Sequence, residues 1–317
     1  KKLSKEQCRD VRLLKQFLKG ISVYGADVKM QGVPGYLVEI LILQYGSFAS
    51  ALESISQWRE HTISDVENHY PTRNDAKTLF PHAPLIVIDP TDRSRNVAAA
   101  LSLNQLARFI AATRAFLKKP SEKFFFAHEN EPISLREMQS ILRAEEFIGI
   151  SFSYPKGLLE DMAWGQLRRL AKKIGNGLIE KDFCLRRSFE WTNGKDACVI
   201  LFDVENPILQ SSKLRFGPPL SDAIASARFL AAHKAPLSGP RIENGRIVIV
   251  EKRKIVKVGD TLVLETKKCA QSENGELKSP LAKAKTLSEK QLVALSKKEK
   301  DFARAFGHFL KGKEWFW

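Results

Sequence analysis

Asp89 and Asp92 stand three residues apart in the run Leu85-Ile86-Val87-Ile88-Asp89-Pro90-Thr91-Asp92. Carboxylates that converge in this way can hold a magnesium ion for phosphoryl transfer. The proline and the short apolar strand before it give a second account, in which both aspartates serve as turn and capping residues, and this structural account is preferred. Arg93, Arg95 and Asn96 come directly after, at what reads as the start of a helix. Free N–H groups at a helix start favour an anion, and an arginine there can stack on a base, hydrogen-bond it or grip a phosphate. A salt bridge to Asp89 or Asp92 explains the arginines equally well. Lys15 and Tyr24 form another candidate pair, an ammonium and a phenol at the open end of a helix, which suit a triphosphate although their spacing is unspecific. No P-loop, GxGxxG, GxSxG or HExxH motif is present. Cys8, Cys184, Cys198 and Cys269 are far apart, without CxxC spacing, and the six histidines form no ligand pattern. This argues against a zinc site or disulfide framework and fits a reducing, cytoplasmic setting.

These residues need elements to position them. Ser4 and Gln7 make a capping-box pattern that opens a helix ending at Gly20. Lys5, Cys8, Arg12, Lys15 and Lys19 fall on one stripe of it, and Val11, Leu13, Leu14, Phe17 and Leu18 on the opposite arc. Two packed helices are predicted within 32–60, the second capped by Ser47, then an irregular loop over 67–83 and a buried strand over Leu85–Ile88. A helix is predicted over Asn96–Leu117. Lys118-Lys119-Pro120 marks a boundary. The middle of the chain alternates α-β-α-β-β-α-β, with hairpin turns at Asn193-Gly194 and Asn244-Gly245. That order predicts an antiparallel sheet covered by helices on one face, of the ferredoxin-like or RNA-recognition class. The tail reads as a strand at Thr261–Glu265, a Lys-rich linker and a helix around Ser288–Leu310. The expected fold is therefore α+β: a helical domain over 1–119, an α+β body over 120–250 and a basic tail over 251–317.

Length and charge narrow the function. At roughly 100–200 residues per domain, 317 residues allow two or three domains. A hydrophobic content of 44%, with 19 Phe and 5 Trp, excludes a largely disordered chain. No apolar run approaches the ~20 residues of a membrane span, and Lys1-Lys2-Leu3-Ser4-Lys5-Glu6 has no apolar signal region. Neither a membrane partner nor secretion is expected. Lys and Arg number 51 against 36 Asp and Glu, a net +15, distributed as +6 over 1–120, +2 over 121–250 and +7 over 251–317. A polyanion reaching both ends would be long, which favours nucleic acid over a small acidic ligand. Charge kept for solubility is the competing account.

Several blocks resemble the archaeal-type (class I) CCA-adding enzymes. They are Val11-Arg12-Leu13-Leu14-Lys15-Gln16-Phe17-Leu18-Lys19, Val23-Tyr24-Gly25-Ala26, Gly32-Val33-Pro34-Gly35-Tyr36-Leu37-Val38-Glu39, Tyr45-Gly46-Ser47-Phe48 and Val87-Ile88-Asp89-Pro90-Thr91-Asp92-Arg93-Ser94-Arg95-Asn96-Val97-Ala98-Ala99. Their order and spacing match the family over residues 5–118. Leu185-Arg186-Arg187-Ser188, Gly217-Pro218-Pro219 and the basic helices extend the match more loosely. The family is a tRNA nucleotidyltransferase with head, neck, body and tail, which adds C, C and A to the tRNA 3′ end from CTP and ATP. The resemblance implies that Lys15 and Tyr24 contact the triphosphate and that Arg95, with Asn96 beside it, faces the base and separates C and A from G and U. It implies RNA contacts at Arg12, Lys19, Arg186, Arg187, Lys213, Arg215, Lys311 and Lys313, read largely as shape and phosphate.

The family's head carries a Gly-Ser motif and the acidic residues that hold two magnesium ions. This chain has no such block, and its Gly46-Ser47 lies in the neck match. No catalytic or metal-binding residue is therefore expected here. The resemblance implies the C-terminal subunit of a split enzyme, or a fragment of a longer one, that works with a nucleotidyltransferase head. A non-catalytic RNA-binding module and a poly(A)-polymerase-like nucleotidyltransferase subunit are the alternatives.

Overall fold

Ser4 opens the first helix, α1 (Lys5–Gly20): its hydroxyl accepts from the Gln7 amide, and the Gln7 side chain accepts from the Ser4 amide. The pair satisfies two of the N–H groups that a bare helix end leaves unmatched. Val11, Leu14, Phe17 and Leu18 are buried, but Leu13, expected on that face, is exposed. It lies about 100° round from Leu14, outside the arc that the other four occupy. The computed structural model describes residues 3–126 and 133–317, and Lys1 and Lys2 lie outside the described residues. The chain divides into two compact units, one made of residues up to Ile133 with Leu159–Gly165 and Gly307–Trp317, the other of Ser134–Leu158 and Gln166–Phe306.

In the first unit, α2 (Gly35–Tyr45) buries Leu37, Val38, Ile40, Leu41 and Ile42, as its nearly all-round apolar sequence requires. Gly46, at φ +87°, lets the chain turn into α3 (Phe48–Ser56), which Ser47 caps through the Ser50 amide. Strand β1 (Thr62–Ser64) runs parallel to β2 (Leu85–Asp89), and α4 (Arg73–Leu79) makes the crossover between them. The stretch 67–83 is thus partly helical rather than irregular. Thr72 and Asp75 form a reciprocal cap at its start, and Ala76 packs on Ile86 and Ile88. Leu85 and Val87 point into the main core with Phe17 and Phe109, so β2 is buried on both faces. A tight turn at Pro90-Thr91 leads to β3 (Asp92–Asn96), antiparallel to β2, and the long helix α5 begins only at Leu103 (Leu103–Lys118). Arg93, Arg95 and Asn96 therefore sit on a strand and not at a helix start. The reason is Asn96. Its Oδ1 accepts from the amides of Val87 (2.9 Å) and Ala98 (3.0 Å), and its Nδ2 donates to the Leu85 carbonyl (3.0 Å), so the side chain stitches the hairpin shut. A short 3₁₀ helix, Glu122–Phe125, brings Phe124 and Phe125 against Phe17 at ring separations of 6.0 and 5.8 Å.

The second unit holds two antiparallel sheets. One has the order β10-β4-β6-β5, from β4 (Glu146–Ser153), β5 (Leu185–Thr192), β6 (Ala197–Val204) and β10 (Lys285–Thr286); the other has β7-β9-β8, from β7 (Ser212–Pro219), β8 (Ser238–Glu243) and β9 (Arg246–Lys252). Both predicted Asn-Gly hairpins are present, the second with Asn244 and Gly245 at φ +48° and +72°. The helices are α6 (Leu135–Ala144), which Ser134 caps, α7 (Glu160–Ile179), α8 (Ala223–Ala232), α9 (Val258–Ser272), α10 (Lys278–Ala282), α11 (Glu289–Lys298) and α12 (Lys300–Lys311); the part of α7 up to Gly165 and the part of α12 from Gly307 belong to the first unit. The predicted strand at Thr261–Glu265 lies inside α9, where Thr261, Leu262, Glu265, Thr266 and Cys269 are buried at helical spacing. The single helix expected near the C-terminus is broken at Glu299 into α11 and α12. Phe302 and Phe306 of α12 pack on Phe189 and Trp191, so a helix covers one face of the β5–β6 pair. The α+β class is as expected. Among the described residues no single helix is long and apolar enough to cross a membrane.

Replacing Asn96 by Ala leaves three buried backbone groups of the hairpin without partners, each worth about 1–3 kcal/mol. Asn96→Ala should lower stability by about 3 kcal/mol or more, measured by urea unfolding, with the amides of Leu85–Asp89 losing protection first in hydrogen exchange.

Candidate nucleotide-binding site

The first turn of α2 has no capping side chain. Pro34 precedes it in extended backbone and makes no side-chain bond to it, so the amides of Gly35, Tyr36 and Leu37 begin the helix uncapped and carry its positive end. A Cβ on Gly35 would lie 3.1 Å from the Tyr24 hydroxyl and 3.5 Å from the Lys15 ammonium. An ammonium from α1 and a phenol from the segment after it thus converge on one point above an open helix end. Those are the donors that phosphate oxygens require. The Lys15 ammonium is ion-paired with Glu39 at 2.9 Å, one turn further along α2, and the Lys19 ammonium lies 5.4 Å over the Tyr24 ring. Tyr24 is placed by a bridge to Val33, with Val33 N–H donating to the Val23 carbonyl (2.7 Å) and Gly25 N–H to the Val33 carbonyl (3.0 Å). Gly32 makes that approach possible, since a Cβ there would meet the Val23 oxygen at 2.0 Å.

The other half of the site is built on Asp89, 1% exposed. Its Oδ1 accepts from the Thr91 amide (2.9 Å), the Thr91 hydroxyl (2.8 Å) and the Tyr36 hydroxyl (3.2 Å), while its Oδ2 accepts from Arg95 Nη1 at 3.3 Å. Burial by itself raises the Asp89 pKa, but the Thr91 and Tyr36 hydrogen bonds and the Arg95 charge outweigh it and hold the carboxyl below its usual range. Burial and the Asp89 charge together raise the Tyr36 pKa, so its hydroxyl stays a donor at neutral pH. The Arg95 side chain is 63% exposed. The salt bridge anchors one corner of the guanidinium and leaves most of it facing solvent. The salt-bridge account of Arg95 therefore holds, and the exposed part of the guanidinium stays open to a ligand. Asn96 is different: its side chain is buried inside the hairpin.

Asp89 and Asp92 do not fit a magnesium pair. Asp89 is occupied by Thr91, Tyr36 and Arg95, and Asp92 accepts from the Ser94 amide and hydroxyl. Among the described residues no group of three or more His, Cys, Asp or Glu could hold a metal ion.

Of the residues predicted to meet RNA, Arg12 and Lys19 are exposed on α1, and Lys311 and Lys313 are exposed near the C-terminus. In the second unit, Arg186 and Arg187 share the buried Asp203 at 2.7 and 2.9 Å, with Glu145 also on Arg186. Lys213 pairs with Asp182 and Arg215 with Glu251, each at 2.6 Å. These four cations carry internal partners. Glu39, Gly35 and Tyr36 join the site without a sequence signal of their own. Pro34-Gly35 before an apolar run marks a helix start, but nothing local pairs Lys15 with Glu39.

Residues 9–126 match the family described as tRNA nucleotidyltransferase, second domain, and residues 143–284 match that described as CCA-adding enzyme, C-terminal domain. The CCA-adding enzyme of Pyrobaculum neutrophilum is 36% identical over 261 residues, 82% of this chain and 59% of its own length. That of Pyrobaculum islandicum is 34% identical over 82% of this chain and 58% of its own, and that of Methanoregula boonei 34% over 80% and 54%. The chain belongs to the CCA-adding enzyme family. It spans somewhat more than half the length of these curated relatives.

Because Asp89 titrates below its ordinary value near ~4, its contribution to stability is complete above that value and is lost as pH falls through the lower, folded value. Asp89→Asn should therefore flatten the acid limb of stability against pH below about 4, followed by thermal melts. An unchanged acid limb would show that Asp89 is not the linked group.

Proposed function

We propose that this chain forms the nucleotide-binding wall and an RNA-holding part of a CCA-adding enzyme, which transfers CMP, CMP and AMP from CTP and ATP to the tRNA 3′ end. The observation that carries this is the convergence of Lys15 Nζ and Tyr24 Oη over Gly35 at the open end of α2. Lys15, Tyr24 and the first amides of α2 take the triphosphate. Transfer of a nucleotide monophosphate releases the outer two phosphates as pyrophosphate, and the same donors hold the charge that leaves. Arg95 is the base reader. Cytosine N3 and adenine N1 are bare acceptors beside an amino group, whereas uracil and guanine present N–H at the corresponding position. A guanidinium, which only donates, suits the first pair and opposes the second. The magnesium-binding carboxylates are assigned to a nucleotidyltransferase head, whether joined to this chain or on another polypeptide. The exposed cations Arg12, Lys19, Lys311 and Lys313 track tRNA backbone; Arg186, Arg187, Lys213 and Arg215 do so with their acidic partners beside them. Domain limits of 1–119, 120–250 and 251–317 belong to the same proposal.

Calorimetric titration of the chain with the four nucleoside triphosphates should give tighter binding of CTP and ATP than of GTP and UTP. Lys15→Ala should weaken CTP binding by about tenfold or more, the worth of one charge-assisted hydrogen bond. Glu39→Gln should strengthen it a few-fold, because it releases Lys15 from an internal competitor. Mixing the chain with a head domain and tRNA lacking CCA should then yield CMP and AMP incorporation beyond that of the head alone. Binding of tRNA without CTP would mark a non-catalytic RNA-binding module, and A-addition to other RNAs a poly(A)-polymerase-like role.

Lys311→Ala and Lys313→Ala should weaken tRNA binding, each lowering the slope of log K against log salt by about one, while CTP affinity stays unchanged. A change in nucleotide affinity would contradict a role confined to RNA.

A further inference from the structure

The loop that carries Tyr24 is tied down by a side chain from another helix. Gln105, in the first turn of α5 and 9% exposed, donates Nε2 to the Met30 carbonyl at 2.9 Å and lies 3.4 Å from both the Ser22 carbonyl and Met30 Sδ. Ser22, at φ +57°, begins the loop, and Met30 stands near its end, just before the Val33 bridge to Tyr24. One amide therefore links the two arms of the loop. The Ser102 amide adds a bond to the Gln31 carbonyl at 2.9 Å.

The orientation of Gln105 is fixed from its other side. Its Oε1 accepts from Arg108 Nη1 at 3.3 Å, and Arg108 donates Nε and Nη2 to Glu314 Oε1 at 3.0 and 2.6 Å. A guanidinium only donates and a carbonyl only accepts, so the amide can face just one way. Glu314 is in turn next to Trp315, whose ring packs 4.8 Å from that of Phe124, which stacks on Phe17 of α1. All of these residues belong to the first unit.

We propose that Gln105 is a positioning residue for the triphosphate site, holding the 22–33 loop so that Tyr24 stands over Gly35. The Arg108–Glu314 pair locks Gln105 in the orientation this requires. The C-terminal segment thereby supports the site through the Arg108–Glu314 pair. The effect on nucleotide rests on the triphosphate reading of the site. The tether on the loop itself needs no nucleotide.

The test uses the full chain and two variants. Glu314→Gln keeps the shape and removes the charge, and Gln105→Leu removes the donor. Amide hydrogen exchange is followed at Gly25, Gln31, Gly32 and Val33, all bonded within the loop, and CTP affinity is measured on the same samples. Both variants should speed exchange at these amides by about tenfold with Leu85–Asp89 unchanged, and weaken CTP binding about fivefold. In a Tyr24→Phe background the effect of Gln105→Leu on CTP affinity should vanish, because the contact it positions is already gone. Unchanged loop exchange overturns the proposal. So does equal acceleration throughout the unit, or additive losses in the double variant, since either marks a merely structural residue. A wild-type chain that does not bind CTP refutes the nucleotide reading alone, and the exchange result still decides the coupling.

Discussion

A carboxylate taken out of water must be surrounded by donors or it will not stay charged. Asp89 is such a carboxylate, and the groups it gathers organise the candidate site. Thr91 closes the turn of the β2–β3 hairpin on it, Tyr36 reaches it from the first turn of α2, and Arg95 is anchored to it from β3. One electrostatic demand therefore joins the strand that presents a guanidinium to the helix whose open end meets Lys15 and Tyr24. The hairpin in turn depends on Asn96, whose amide replaces backbone bonds that the tight turn leaves unmade.

The end of the candidate site at Lys15 and Tyr24 obeys a different logic. Lys15 is held by Glu39, but both side chains are partly exposed, and ion pairs of that kind contribute only about 0–1 kcal/mol. The pair keeps the ammonium aimed at Gly35 without holding it tightly, and a polyanion can take it over at little loss. Absence of a Cβ at Gly35 and at Gly32 is what allows the approach: the first leaves room for the Lys15 and Tyr24 tips, and the second lets the Tyr24 segment lie against Val33. In the second unit the balance is reversed. Arg186 and Arg187 share a buried aspartate and are bound to the sheet first.

What could be read from sequence was local. The Ser4 and Ser47 caps, the Asn193-Gly194 and Asn244-Gly245 turns, and the apolar strand before Asp89 each carry their cause within a few residues, and each is present. The errors arose where a local signal was short or a distant partner decided. Residues 92–96 resemble a helix start until β2 pairs with them, and Thr261–Glu265 is a β-branched run that tertiary burial keeps in α9. The seven-residue α4 is too short for a helical period to show. For the candidate site, Lys15, Tyr24 and Arg95 stand out in the sequence as single residues. The Arg95–Asp89 salt bridge was one of the accounts the sequence offered, whereas Glu39 and Gly35 beside Lys15, and the loop clamp at Gln105, are brought there by contacts that only the fold makes.

The central claim is that the open end of α2, with Lys15 and Tyr24, receives the phosphates of CTP and ATP while Arg95 meets the base. Heteronuclear NMR of the labelled chain titrated with CTP addresses it most directly. The account predicts the largest shifts at the amides of Gly35, Tyr36 and Leu37, at the Lys15 ammonium and at the Arg95 guanidinium. Shifts centred on any other surface, with these groups unmoved at saturating nucleotide, would contradict it.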